Sequence, residues 1–283
     1  MFYNLSDRSK AYTYMALVLV LGLGFSFIPN ISSFAYMLTP AIAAMLMMFI
    51  VTRDGWKRAG WATLGLHRLG LRMWAASLII PVAIIVLSYV MAWAASLLTF
   101  HVPRDFQGYP WSSFPIVIVI TFLMNVLTSS LGEELGWRGY WLPLLASACG
   151  ERRALLISGF IHGVWHVPMI FIAGNYHAEQ NPVLACVCIV VSTLCLGPFI
   201  GYVRLRTASV WPASILHTAH NLAWMVMAVI TTPISVSAYY ISGDNSVISM
   251  LCYVGLAVWA FRRLPIAPLR QAAASSSAQR PPL

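Results

Sequence analysis

Apolar runs long enough to cross a bilayer recur along the whole chain, and nearly all the basic residues collect in the short segments between them. A chain crossing hydrocarbon must pair every backbone N–H and C=O internally, so runs of this kind can only be helices. Only 9% of residues are charged and 60% are hydrophobic, with a mean hydropathy of +0.78. A soluble domain of this size could not cover its surface with so little charge. The expected fold class is an all-α polytopic membrane protein. The net charge of +9 has a plain origin in basic residues beside cytoplasmic helix ends. No basic face on a soluble domain points to nucleic acid, and the expected surroundings are the lipid bilayer.

About eight transmembrane helices are expected, over residues 11–28, 31–51, 73–100, 115–145, 154–173, 183–203, 208–231 and 247–261, the last with an alternative start at Tyr239. Pro29-Asn30 makes the first two a tight hairpin. No small-x-small cleavage site follows the first run, so it is expected to be retained. Residues 52–72 interleave Arg53, Lys57, Arg58, Arg68 and Arg72 with Trp56 and Trp61, the pattern of an interfacial segment that sets orientation and touches lipid. The fourth run is too long for one crossing: roughly 31 residues rise about 46 Å against a core of about 30 Å. Gly136, Gly139 and Pro143 are the expected break points, followed by a short helix near the inner face. With both termini cytoplasmic, every basic residue except Arg104 and Arg138 falls on the inner side. In a bacterium this would be a multi-pass protein of the plasma or inner membrane. Residues 1–270 are read as one membrane domain, and the Ala/Ser/Pro-rich residues 271–283 as a disordered tail. Cys186, Cys188, Cys195 and Cys252 lie in apolar runs and Cys149 lies near Arg152 and Arg153; all five read as spectator thiols, with no disulfide framework.

Against this background Glu133-Glu134-Leu135-Gly136-Trp137-Arg138 stands out. The chain has eight acidic residues, and only these two are adjacent. Ionisable groups inside a span are costly and point to function. Two other spans carry polar groups at helical spacing: His162 and His166 on the fifth, and His217 and Asn221 on the seventh, each pair i, i+4 on one face, with His220 close by. Counted from the cytoplasmic ends, all three sets lie at a similar depth, roughly 15–18 Å in. The expected site therefore lies between spans four, five and seven, in a polar pocket within the membrane. A carboxylate and an imidazole can activate a water. A second imidazole and an amide can stabilise an oxyanion. Glu133, His166 and His217, with His162 as a further candidate, could instead ligate Zn²⁺ with one position open. Either route leads to amide hydrolysis. Taken singly, each residue has a plainer reading, as a packed histidine, a structural Glu–Arg pair or interfacial tryptophans. The coincidence of three spans at one level favours the joint reading.

At these residues the chain resembles the CPBP family of membrane proteases (CAAX proteases and bacteriocin-processing enzymes), also called the type II CAAX prenyl endopeptidase or Abi family. The family pattern Glu-Glu-x-x-x-Arg is met at Glu133 to Arg138, its Phe-x-x-x-His at His166, and its His-x-x-x-Asn at His217 to Asn221. The likeness spans residues 110–231, the expected protease core. It implies an intramembrane endopeptidase acting on a membrane-associated or lipidated peptide or protein. It further implies Glu133 as base with His166, His217 and Asn221 as oxyanion donors, and Glu134 and Arg138 as orienting groups. No tightly bound cofactor is expected, with zinc as the alternative. One position departs from the pattern: His162 stands where the family has Phe, an added ligand, a proton relay or a space-filler. The competing readings are a proton-coupled transporter, for which no inverted repeat is visible, and a non-catalytic immunity or scaffold protein, for which a motif residue should be lost.

Overall fold

Each apolar run becomes helical, and local chemistry sets its ends. The computed structural model describes residues 5–174 and 176–264. Helix α1 (Asp7–Ser26) is opened by Ser6, whose hydroxyl accepts from the Ser9 N–H, with Asp7 in the first turn. Next come α2 (Ser33–Met37), capped by Ser32, and α3 (Thr39–Leu46), which widens into a π-helical stretch at Met47–Val51. Short α4 (Arg58–Thr63) lies in the basic segment, and α5 (Trp74–Ala94) leads to strand β1 (Leu98–Phe100). A long path is then built from α6 (Phe114–Leu127), α7 (Ser129–Glu134), a π-helical segment Leu135–Trp141 and α8 (Leu142–Cys149). Helix α9 (Glu151–Pro168) runs on as a π-helix through Ala173. Helix α10 (Pro182–Thr207) begins at Asn181, whose side chain accepts from two backbone N–H groups, and has Arg204 and Arg206 in its last turn. Helix α11 (Trp211–Val229), strand β2 (Thr231–Pro233), α12 (Ala238–Ile241) and α13 (Val247–Arg263) complete the chain.

Among the described residues, six helical segments are long and apolar enough to cross a membrane: Asp7–Ser26, Ser33–Val51, Leu71–Ala94, Trp111–Cys149, Glu151–Ala173 and Pro182–Thr207. The molecule is a polytopic, mainly helical membrane protein. Helices α11 and α13 occupy the positions of the expected seventh and eighth spans. His217, His220 and Asn221 lower the hydropathy of the first, and the second has only 17 residues. The expected tail at 271–283 lies outside the described residues, as do Arg270 and Arg280.

Three expectations need correction. The third helix stops at Ala94, not at Phe100. Leu98–Phe100 instead pairs antiparallel with Thr231–Pro233, which also takes Thr231 out of the seventh helix. The β-branched Thr99, Thr231 and Thr232 suit extended backbone. The eighth helix begins at Val247 as expected, and the alternative start at Tyr239 falls in a separate turn of helix at residues 238–241. The break in the long fourth path falls at Thr128 (φ −128°, ψ −88°), ahead of the carboxylates. Gly136 and Gly139 lie within the continuous π-helical segment, and Pro143 sits in the first turn of α8, where a missing N–H costs nothing. Polar side chains take up hydrogen bonding at the break: Thr128 donates to the Met124 carbonyl (2.5 Å) and Ser129 to Asn125 Oδ1 (2.6 Å).

Close packing aligns the helices that matter for the site. Helices α9 and α10 meet where a Cβ on Gly197 would lie 2.7 Å from Gly159 Cα, so only small residues allow this approach. The N-terminal hairpin grips the π-helical segment. A Cβ on Gly136 would collide with the Pro40 carbonyl and the Tyr14 hydroxyl. Trp141 Nε1 donates to the Ala11 carbonyl (2.8 Å), Tyr36 to the Trp165 carbonyl (2.6 Å), and Trp165 Nε1 to Thr39 (3.1 Å). The buried aromatic rings thus also satisfy their polar atoms.

Candidate active site

Glu133 and Glu134 close α7 and are buried at 1% and 0% exposure. Being adjacent, they point about 100° apart around the helix, and they find different partners. Glu134 Oε1 accepts from Arg138 Nη1 (3.0 Å) and from His217 Nδ1 on α11 (2.9 Å). Arg138 lies four residues on, at the spacing that favours an ion pair on one helix face. Glu133 Oε2 lies 2.8 Å from Nε2 of His162 on α9. Arg138 Nη1 also reaches His162 Nδ1, at 3.4 Å. His166 Nδ1 lies 3.0 Å from the His162 carbonyl oxygen.

Donor rules assign the protons. A carbonyl oxygen only accepts, so His166 donates from Nδ1 and keeps a lone pair on Nε2. Likewise His217 donates from Nδ1 to Glu134. A guanidinium only donates, so His162 accepts at Nδ1, and its Nε2–H is directed at Glu133.

The cavity between these helices holds about 90 Å³, room for a few waters. Its walls include Glu133, Glu134, His166, His217 and Asn221. The structure therefore gathers the six residues expected as catalytic, Arg138 included, around one buried space. Asn221 lines the cavity beside His217, as the i, i+4 spacing requires. His220 also faces it, and its Nδ1 lies 2.7 Å from the Tyr253 hydroxyl.

Two loops that the sequence reading passed over supply more of the wall. Tyr176 stacks on His166 with ring centroids 5.7 Å apart, and Asp244 and Asn245 also line the cavity. Asp244 is one of the chain's eight acidic residues, and that scarcity was the available signal. Asp244 Oδ2 lies 3.4 Å from His177 Nε2 and accepts from Asn245 Nδ2 at 2.9 Å. Burial pushes the Asp244 carboxyl up, but the charge and hydrogen bond of His177 outweigh it and hold it below the usual range. For His177 burial acts downward, and Asp244 outweighs it to leave the imidazole above its usual value.

The metal alternative can be tested on the donor set. Glu133, His162 and His166 each offer a ligand atom, all within 4.8 Å of one another. His217, expected in that set, bonds Glu134 through Nδ1, the outer bond that a metal-bound imidazole commonly makes. The spacing suits an ion, but the bonding of His162 does not. His162 has both nitrogens committed, to Glu133 and to Arg138. That leaves Glu133 and His166 of this group, while His217 keeps its Nε2 open because only its Nδ1 bonds Glu134. As arranged, His162 is not free to bind a metal; Glu133, His166 and His217 are the residues that would hold one, and the ion would lower the pKa of a bound water.

Residues 115–223 match the family model described as type II CAAX prenyl endopeptidase Rce1-like. Residues 115–223 are a domain of this family. All the motif residues, Glu133 to Arg138, His166, His217 and Asn221, lie inside the Rce1-like domain. Over 113 residues the chain is also 29% identical to a protein of Methanococcus maripaludis, CAAX prenyl protease 2. That match covers 39% of this chain and 42% of the curated relative, less than half of each.

Proposed function

We propose that the chain is an intramembrane endopeptidase of the glutamate type, cleaving a peptide bond in a membrane-associated or lipidated substrate. The observation that carries the reading is the split between two adjacent carboxylates on one cavity wall: Glu134 is bound by Arg138 and His217, whereas Glu133 is bound by His162 through Oε2 and keeps Oε1 for a water beside His166.

The chemistry follows from the free valences. Glu133 and the Nε2 lone pair of His166 hold a water in the cavity. Glu133 takes its proton as the oxygen attacks the substrate carbonyl carbon. The carbonyl oxygen becomes an oxyanion, received by the Asn221 amide and by His217. For His217 to donate from Nε2 its ring must carry both protons, and Glu134 on Nδ1 supplies the counter-charge. On collapse of the tetrahedral species the C–N bond breaks, and the proton held by Glu133 passes to the leaving amine. Arg138 fixes Glu134 in a charge-assisted hydrogen bond. Substrate enters from the cytoplasmic side or laterally from the inner leaflet.

The test is cleavage of a peptide library by purified protein in detergent, comparing wild type with Glu133→Ala and His217→Ala, with and without chelator. Both variants should lose cleavage and the chelator should leave wild type active. Retained cleavage in both variants would remove this site from consideration. Loss of activity to chelator with recovery on added zinc would overturn the metal-free route.

A further inference from the structure

His162 stands outside the six motif residues, yet it is the side chain that joins their two halves. It is buried at 6% exposure. Its ring is held between Trp137 (centroids 5.1 Å apart) and His166 (5.1 Å). These ring contacts need only an aromatic face, so they do not by themselves call for an imidazole. What the imidazole adds is two hydrogen bonds: one to Glu133, the other to the arginine that holds Glu134. Each buried carboxylate then has a donor, and the two are connected through one neutral ring. A carboxylate held by one oxygen in a buried site is restricted in rotation, and its second oxygen is directed elsewhere. Glu133 bonds His162 through Oε2, which leaves Oε1 to hold the water.

We propose that His162 is a positioning residue that donates from Nε2 to Glu133 Oε2, accepts from Arg138 at Nδ1, and so orients the base, and that it is not a metal ligand. The inference rests on the endopeptidase reading for its catalytic consequence, but the hydrogen-bond assignment stands without it.

The experiment uses the full chain in detergent. His162→Phe keeps the ring and loses both bonds. His162→Gln keeps an N–H near the Nε2 position and a carbonyl that can accept from Arg138. The Phe variant should lower kcat by about 10- to 100-fold with KM nearly unchanged, as loss of a hydrogen bond to a charged group predicts. The Gln variant should recover most of that loss. Zinc content measured by mass spectrometry should be equally low in wild type and both variants. ¹⁵N NMR of histidine-labelled wild type should contain a neutral Nε2–H ring whose signal vanishes in His162→Gln, a readout that does not depend on the Phe variant folding.

Several results would overturn the inference. They are a Gln variant no better than Phe, wild-type kcat in the Phe variant, stoichiometric zinc lost on substitution of His162, or a vanished signal belonging to an Nδ1–H ring. Glu133→Gln separates the two readings. If it cleaves normally the proposed site itself fails, whereas a dead Glu133→Gln beside a fully active His162→Phe removes only the positioning role.

Discussion

The molecule contains two carboxylate–imidazole groups that look alike on paper. One lies within the helices: Glu133 and Glu134 with His162, His217 and Arg138. The other lies in loops: Asp244 with His177, Asn245 and Tyr176. Members of both groups line one cavity. The loop group is closed on itself. Asp244 Oδ2 takes His177, Asn245 and Tyr176, while Gln180 lies 3.1 Å from the other nitrogen of His177. The helix group is left open. Among the described residues, Glu134 Oε2 and Arg138 Nε have no partner, and the Nε2 atoms of His166 and His217 make no hydrogen bond. A carboxylate beside an imidazole is therefore not in itself a site. Unspent hydrogen-bonding capacity facing a cavity separates chemistry from structure, because saturated polar groups rigidify while unsaturated ones can receive substrate.

The sharpest way to break this contrast is to make the same change in both groups. Glu133→Gln should reduce peptide cleavage by about 10²–10⁴-fold, the usual worth of a general base. Asp244→Asn should stay within about tenfold of wild type, both read as kcat/KM in detergent. Equal losses would mean that the loop group takes part in the chemistry. Next in size, His217→Ala and Asn221→Ala should each cost about 10²–10³-fold in kcat, as loss of an oxyanion donor does. A change confined to KM would mark them as binding residues instead.

Gly136→Ala tests the scaffold behind the helix group. The added methyl must displace Pro40 or Tyr14, at a cost of roughly 1–3 kcal/mol. A fall in Tm accompanied by lower kcat would tie the hairpin to the carboxylates, and a fall in Tm alone would not.

The smallest effect concerns pH. The raised His177 contributes stability that is fully present below its ordinary value of 6.5 and is lost as pH climbs through the folded value. The depressed Asp244 contributes stability present above its ordinary 3.8 and lost as pH falls through the folded value. Both contributions are in force between these ordinary values. The Tm gap between wild type and Asp244→Asn should be a few degrees near pH 5.5, reflecting about 1–2 kcal/mol, and should shrink toward pH 9. A gap that widens with pH would contradict the pairing.

Much of the helix group was legible in the sequence for a physical reason. Charges are rare in apolar helices, and 3.6-residue periodicity tells which of them share a face. His217 with Asn221 and Glu134 with Arg138 could be read this way. The partner of Glu133 could not be read so directly, since its link to His162 depends on how α7 and α9 meet in space. The break at Thr128 escaped because neither Gly nor Pro marks it; a β-branched residue relies there on its own hydroxyl. The strand pair at Leu98 and Thr231 was hidden because a short edge after a long apolar run reads as more helix. Tyr176 and Asp244 belong to loops, where no periodicity says which way a side chain faces.

The seat of Gly136 has one more consequence. The first fifty or so residues supply no side chain to the proposed reaction, yet the Pro40 carbonyl and the Tyr14 hydroxyl rest against the backbone two residues past Glu134. Any ligand, lipid or truncation that tilts this hairpin would be felt at the carboxylates as a change of aim. Since Ser33, Tyr36 and Met37 also line the cavity, the hairpin bears on the proposed chemistry both through the backbone it braces and through the wall it supplies.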